Sequence, residues 1–231
     1  MKKIIAKYKD LKDISGQDNR EEFVVVNKYS NGIKFGHSYT KTTDDMKIFF
    51  KGEIVVRKSV ARKLAKVNKK LRRKNSDLCL FITYGYRLLE IQTSRFNKEF
   101  EKSNKKLSIE ERKEITHKKI AVPEVAGHPT GGAIDITIFD IKKNKFLDMG
   151  CKISDFSKNT NKLRATFSKE INKKQEKNRL LLNSILVNQG FCPYLEEWWH
   201  FSYGDKEWAW YYGKKNAIYE QKNKEDIILI K

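Results

Sequence analysis

The sequence predicts a single α+β domain over residues 1–231, and three observations carry that expectation. Strand-like and helix-like stretches follow in the order early strands, helix, buried strand, further helices, strand, long helix and final strand. The 231 residues are enough for one sizeable core, with three prolines and no Gly/Ser-rich linker, although the length also admits two small domains. A hydrophobic fraction of 39% with 12% aromatics excludes a disordered chain. No internal repeat is present.

Taken in order, residues 1–20 are polar and mixed in charge, and are expected to be loosely held. Phe23-Val24-Val25-Val26 predicts a strand. Asn31-Gly32 predicts a turn, and Lys51-Gly52 the turn of a hairpin over 46–56. In 58–75, Val60, Leu64, Val67 and Leu71 fall at helical spacing while Lys and Arg cover the rest. The continuously apolar 78–83 predicts a buried strand running into Tyr84-Gly85-Tyr86-Arg87. Residues 88–100 read as a helix with Leu89, Thr93, Phe96 and Phe100 along one face. Ser108-Ile109-Glu110-Glu111 is a capping-box pattern opening a helix to about 118. Ile134, Ile136 and Ile138 alternate with Asp135, Thr137 and Phe139, which is strand periodicity. A long helix over 169–189 buries Ile171, Asn178, Leu181, Leu182, Ile185 and Leu186 and ends at Gly190. A last strand covers 199–203. Trp208, Trp210, Tyr211 and Tyr212 then form either a packing flap or a wall of a substrate pocket.

The formal charge is +20. It implies either attraction to a polyanion, such as nucleic acid, anionic lipid or an acidic wall polymer, or lysine enrichment on solvated faces. No nucleic-acid motif accompanies it, and no nucleic-acid partner is expected. Cys79, Cys151 and Cys192 are odd in number and lack paired spacing, which argues against a disulfide scaffold and fits a reducing compartment. The first residues start like a signal peptide, but the apolar run ends after three residues. No apolar run is long enough to span a bilayer. A soluble, unexported, cytoplasmic protein is expected.

Chemistry concentrates in two stretches. In the first, residues 190–203, Glu197 precedes His200 by three positions among Trp198, Trp199 and Phe201. In so dry a setting an ionised group needs a partner, such as a metal or an exchangeable proton. The second is Gly127-His128-Pro129-Thr130-Gly131-Gly132-Ala133-Ile134-Asp135. His128 and Asp135 are seven apart, so on an unbroken strand they would face opposite ways. They converge only if the chain turns between them, which Pro129 and the Gly-Gly pair suit. His128, Asp135 and His200 then make a set of two imidazoles and one carboxylate. Such a set leaves one tetrahedral position for water, as in catalytic zinc sites. Asp135 has a plainer alternative, a strand acid paired with lysine. Glu197 is the surplus carboxylate, placed at a corner before His200 and free to take a proton. His117, at a helix end, and His37 are expected to serve structure rather than a metal.

The pattern His128-x-x-x-Gly132-x-x-Asp135 followed by Glu197-Trp198-Trp199-His200 resembles the D-alanyl-D-alanine dipeptidases of the vancomycin-resistance type, within the zinc D,D-peptidase and D,D-carboxypeptidase family. The similarity runs from about Phe35 to Tyr203 and includes Gly85-Tyr86-Arg87 and Asn178-Arg179-Leu180-Leu181-Leu182. The resemblance implies a mainly antiparallel central sheet flanked by helices, with one zinc on its open face. It implies a transition-state cation at Arg87, a base at Glu197 and a small D-amino-acid peptide substrate from peptidoglycan metabolism. It also implies an acid that binds the substrate's free amine. Spacing from Gly150 puts that position at Ser154, while chemistry puts it at Asp155, and Asp155 is the expected amine-binding residue. The chain departs from the family at Leu88 for proline, at Tyr84 for aspartate and at Ala126 for a substrate-contacting serine. The alternatives are a D,D- or L,D-carboxypeptidase or endopeptidase acting on longer wall peptides, and a non-catalytic zinc module binding a polyanion.

Overall fold

The computed structural model describes residues 5–29, 32–36, 46–227 and 229–230. In chain order the elements are α1 (Tyr8–Leu11), β1 (Phe23–Val25), α2 (Val26–Tyr29), β2 (Lys34–Phe35), α3 (Lys47–Phe50), β3 (Val55–Arg57), α4 (Lys58–Lys74), β4 (Leu78–Tyr84), α5 (Leu89–Phe100), α6 (Ile109–His117), β5 (Ala133–Asp140), β6 (Lys145–Phe146), α7 (Lys173–Val187), β7 (Cys192–Pro193), β8 (His200–Ser202), α8 (Lys206–Tyr211) and β9 (Leu229–Ile230). The architecture is α+β. One sheet runs β2-β4-β5-β8-β7, with β6 also on β5; a smaller one runs β3-β1-β9. In the larger sheet β2 lies parallel to β4 and the other pairings are antiparallel. The smaller sheet is mixed, since β1 is antiparallel to β3 and parallel to β9.

Strand β5 is the axis of the larger sheet. All of its residues are buried. The isoleucines Ile134, Ile136 and Ile138 face the main core, where they meet Leu64, Leu80, Leu182 and Trp198. The stripe read from α4 is buried as expected: Val60, Leu64, Val67 and Leu71. Asn68, on the same helix, accepts a hydrogen bond from Leu80 N at 2.9 Å, so α4 is tied to β4 by polar as well as apolar contact.

Several expectations need correction. Residues 6–11 are packed rather than loose: Ala6, Tyr8 and Leu11 are buried in a cluster with Phe96, Val122 and Val125. The segment 46–56 is no hairpin but α3, a turn through Lys51 and Gly52 at positive φ, and β3, whose partner β1 lies upstream. Helix α7 starts at Lys173, because Asn172 caps it by accepting from Gln175 N at 3.0 Å. Its buried face takes Arg179 and Asn183, while Ile171, Asn178 and Leu181 are half-buried. His117 does end α6, but as a buried neutral ring rather than a helix-terminal charge. Its Nδ1 accepts from Val122 N, and burial pushes its pKa down to about 4. The tail packs as a cluster of Trp208, Ala209, Tyr211, Cys192 and Ala217. His37 and Asn31 lie outside the described residues.

Candidate active site

Register brings the key side chains together at the start of β5. Asp135 pairs with Tyr84 of β4 on one side and with His200 of β8 on the other. The β4 pairing slips between Ile82 and Tyr84, so Thr83 is an extra residue, and its hydroxyl donates to Asp135 O at 3.2 Å. Such a bulge bends the strand and re-aims the residues beyond it. The first of these after β4 is Gly85, where a Cβ would stand 2.5 Å from Val55 O, so only glycine passes here. Its carbonyl accepts from His128 Nδ1 at 2.8 Å.

The expected turn before β5 is present. His128–Thr130 form a single 3-10 turn, and Gly131 follows in the left-handed region at φ 73. Thr130 Oγ1 closes the loop by accepting from Gly132 N at 3.0 Å and donating to Gly127 O at 2.6 Å. His128 Nε2 thereby stands 3.5 Å from Asp135 Oδ1. Across the sheet His200 Nδ1 lies 3.1 Å from the same oxygen. The two imidazoles meet edge to face, with centroids 4.8 Å apart. Glu197 sits at the corner between Tyr194 and His200, where Glu197 N donates to Tyr194 O and His200 N to Glu197 O. Trp198 and Trp199 bury the back of that corner.

The three donor atoms lie within 4.8 Å of one another. Ligand atoms round a tetrahedral ion at ~2.0–2.1 Å stand roughly 3.3 Å apart, which the two distances to Asp135 bracket. Protonation tests the fit further. Gly85 O can only accept, so His128 Nδ1 must carry a hydrogen. Burial, aided by the Arg87 charge, pushes the His128 pKa down to about 4, so Nε2 is a bare lone pair. It faces a carboxylate oxygen, another acceptor. Burial alone would raise the Asp135 carboxyl, but the neighbouring imidazoles hold it far below the usual range. Two buried acceptors facing each other call for a cation between them. For His200, burial lowers the pKa, but the hydrogen bond and charge of Asp135 outweigh it and lift the ring to about 9. A divalent ion would displace that proton. The residues therefore fit zinc, with His128 oriented by a backbone carbonyl behind it.

A cavity of about 310 Å³ opens on this cluster, and Arg87, Ser154, Glu197 and Glu207 also line it. Arg87 is held by Nε donating to Tyr84 Oη at 3.2 Å and Nη1 donating to Gln92 Oε1 at 2.6 Å. Gln92 is itself fixed by donating to Ala121 O. Tyr84, in place of the expected aspartate, thus keeps the arginine in position. Burial lifts the Glu197 pKa to about 7. Ser154 takes the cavity wall at φ 55, while Asp155 is buried with Oδ1 accepting from Ser157 N at 3.1 Å. Ala126 lines the cavity where the family pattern has serine. Sequence reasoning missed Gln92, Tyr194 and Glu207. Gln92 and Glu207 lie within the first turn or so of their helices and match no motif, so no signal marked them.

A model of the D-ala-D-ala dipeptidase family matches residues 21–222. A D-alanyl-D-alanine dipeptidase of Synechocystis sp. is 33% identical over 106 residues, covering 41% of this chain and 40% of that protein. One from Escherichia coli is 34% identical over 76 residues, covering 33% and 37%. The chain spans about two fifths of the length of these curated relatives. Among solved structures, the LD-carboxypeptidase LdcB aligns with TM-score 0.44 and 16% identity over 95% of this chain and 82% of its own. VanYB in complex with D-alanine-D-alanine aligns with TM-score 0.39 and 15% identity over 70% and 80%.

Proposed function

The chain belongs to the D-ala-D-ala dipeptidase family, and from that premise we propose that it is a zinc peptidase hydrolysing D-Ala-D-Ala or a related small D-amino-acid dipeptide of peptidoglycan metabolism. The observation that carries the reading is the cluster in which His128 Nε2 stands 3.5 Å and His200 Nδ1 3.1 Å from Asp135 Oδ1. His128, Asp135 and His200 would hold one zinc ion per chain. When bound, zinc lowers the pKa of water to about 7 and polarises a carbonyl.

The chain's own residues supply the rest. Glu197, an enclosed carboxylate facing the cavity, takes a proton from the attacking water and returns it to the leaving amine nitrogen. Its pKa, raised to about 7 by burial, suits a group that must both accept and release a proton near neutrality. Arg87 spends two donors on Tyr84 and Gln92, and among the described residues Nη2 has no hydrogen bond. That nitrogen is left to donate to the oxyanion, a contact of a kind whose loss typically slows kcat by about 10²–10³. Trp198 and Trp199 exclude water from behind the site. Cys79, Cys151 and Cys192 are buried and outside any disulfide, which supports work in a reducing compartment such as the cytoplasm.

Turnover of D-Ala-D-Ala with added zinc, compared between wild type and Glu197→Gln, tests this. The variant is expected to keep its zinc and lose about 10²–10⁴ of kcat; equal rates would contradict the role. A second reading, a carboxypeptidase on longer peptides, draws support from Arg95, Lys98 and Lys119, which bring positive charge to the cavity wall. Release of terminal D-Ala from tri- to pentapeptides separates the two.

A further inference from the structure

We propose that Glu207 is the subsite for the substrate's free α-ammonium group. The inference rests on the dipeptidase reading and names the residue that would make the site selective for a free amine. In a dipeptide the ammonium is carried by the carbon next to the scissile carbonyl. Whatever anion receives it must therefore lie on the cavity wall close to Glu197 and the His–Asp–His cluster.

Four acids line the cavity: Glu99, Asp135, Glu197 and Glu207. Asp135 belongs to the cluster and Glu197 is the base. Glu99 is paired with Lys102 at 2.8 Å and Lys119 at 2.7 Å. Glu207 remains. Among the described residues no hydrogen bond or ion pair reaches its carboxylate, and it acts electrostatically on both His200 and Glu197. Tyr194 lines the same cavity, and its hydroxyl is pushed up by burial and then by the charges of both glutamates. Asp155 is less well placed, because its side chain is committed to Ser157 N while Ser154 takes the wall.

The frame around Glu207 is rigid. It stands in the first turn of α8, whose cap Asp205 accepts from Trp208 N and from Ser202 Oγ, each at 2.8 Å. Trp208 Nε1 donates to Gly190 O at 2.9 Å, and Cys192 Sγ approaches Glu207 O at 3.8 Å. A cavity-lining carboxyl that burial and the charges of Asp205 and Glu197 push up to about 8 gains from an ammonium ion that lets it ionise. The plainer explanation is an acid placed to complement the helix N-terminus.

The experiment compares wild type, Glu207→Gln, Glu207→Asp and Asp155→Asn, all zinc-loaded, with two ligands. These are D-Ala-D-Ala as substrate and N-propionyl-D-alanine, the same skeleton without the amine, as competitive inhibitor. Glu207→Gln is expected to raise KM for the dipeptide about ten- to a hundredfold, with a smaller change in kcat. Its Ki for the amine-less ligand should stay within about twofold of wild type, since that ligand has no positive charge for Glu207 to hold. Glu207→Asp, which keeps the charge, should fall between, and it alone decides the matter if the glutamine variant does not fold. Unchanged KM overturns the proposal. So does a rise in Ki that matches the rise in KM, or the same loss produced by Asp155→Asn instead. No turnover by the wild type brings down the dipeptidase reading and this one with it; turnover with unchanged KM brings down this one alone.

Discussion

Gly85 carries two constraints at once. Its Cα hydrogen faces Val55 O, where a methyl would stand 2.5 Å away, and its carbonyl fixes the tautomer of His128. Gly85→Ala must therefore shift the backbone and with it the orientation of the imidazole. Zinc affinity is expected to fall about 10–100-fold, as for other lost partners of metal-binding histidines, and competition with a chromophoric chelator measures it. His117 makes a prediction of a different kind. Burial lowers its pKa from the ordinary 6.5 to about 4, so the folded state resists the proton that the unfolded state accepts. Its contribution to stability is present above pH 6.5 and is lost as pH falls from there through about 4. The loss amounts to roughly 3 kcal/mol. His117→Gln, whose side-chain oxygen can still accept from Val122 N, should flatten the acid side of a stability–pH curve by that amount. An unchanged slope between pH 6.5 and 4 would show that the ring is protonated in the folded protein.

Helix α7 is joined to the loop that carries Ser154 through one cation. Arg179 Nε donates to Met149 O at 2.8 Å, Nη1 to Ala165 O at 2.6 Å and Nη2 to Leu163 O at 2.7 Å, with the guanidinium over Trp198. Arg179→Met would leave one buried and two half-buried carbonyls without this donor and should cost about 3 kcal/mol in urea unfolding; Arg179→Lys recovers only part, since an ammonium lacks the fork. Elements with strong periodicity were legible in the sequence. The α4 stripe, the apolar β4, the capping box of α6 and the alternation of β5 all reappear at nearly the expected bounds. The site was legible for a related reason: Pro129, Gly131 and Gly132 announce a reversal, which the odd spacing of His128 and Asp135 requires. What stayed hidden depends on partners distant in sequence. Arg179 is polar yet buried because loop carbonyls 14–30 residues away receive it. The strand β3 pairs with β1 rather than with its own neighbour, so local turn signals at Lys51-Gly52 misled. Tyr8 and Leu11 look like a solvated tail until Phe96 and Val125 are brought beside them.

At the scale of the molecule, the larger sheet does one thing for function: it sets β5 between β4 and β8, so that Gly85, Asp135 and His200 arrive at one end from three strands. The turn before β5 adds His128, the corner before β8 adds Glu197, and α8 adds Glu207. The excess of 49 Lys and Arg over 29 Asp and Glu lies outside this construction, although Arg87, Arg95, Lys98, Lys102 and Lys119 line the cavity. The central claim is that three nitrogen and oxygen donors from these elements hold a single zinc ion and leave room for water. X-ray absorption at the zinc edge, on protein with its metal content determined, tests this most directly. The account predicts about one zinc per chain, a shell of nitrogen and oxygen at ~2.0–2.1 Å with no sulfur shell at ~2.3 Å, and loss of the metal in Asp135→Ala. A sulfur shell, or zinc retained in full by Asp135→Ala, would contradict it.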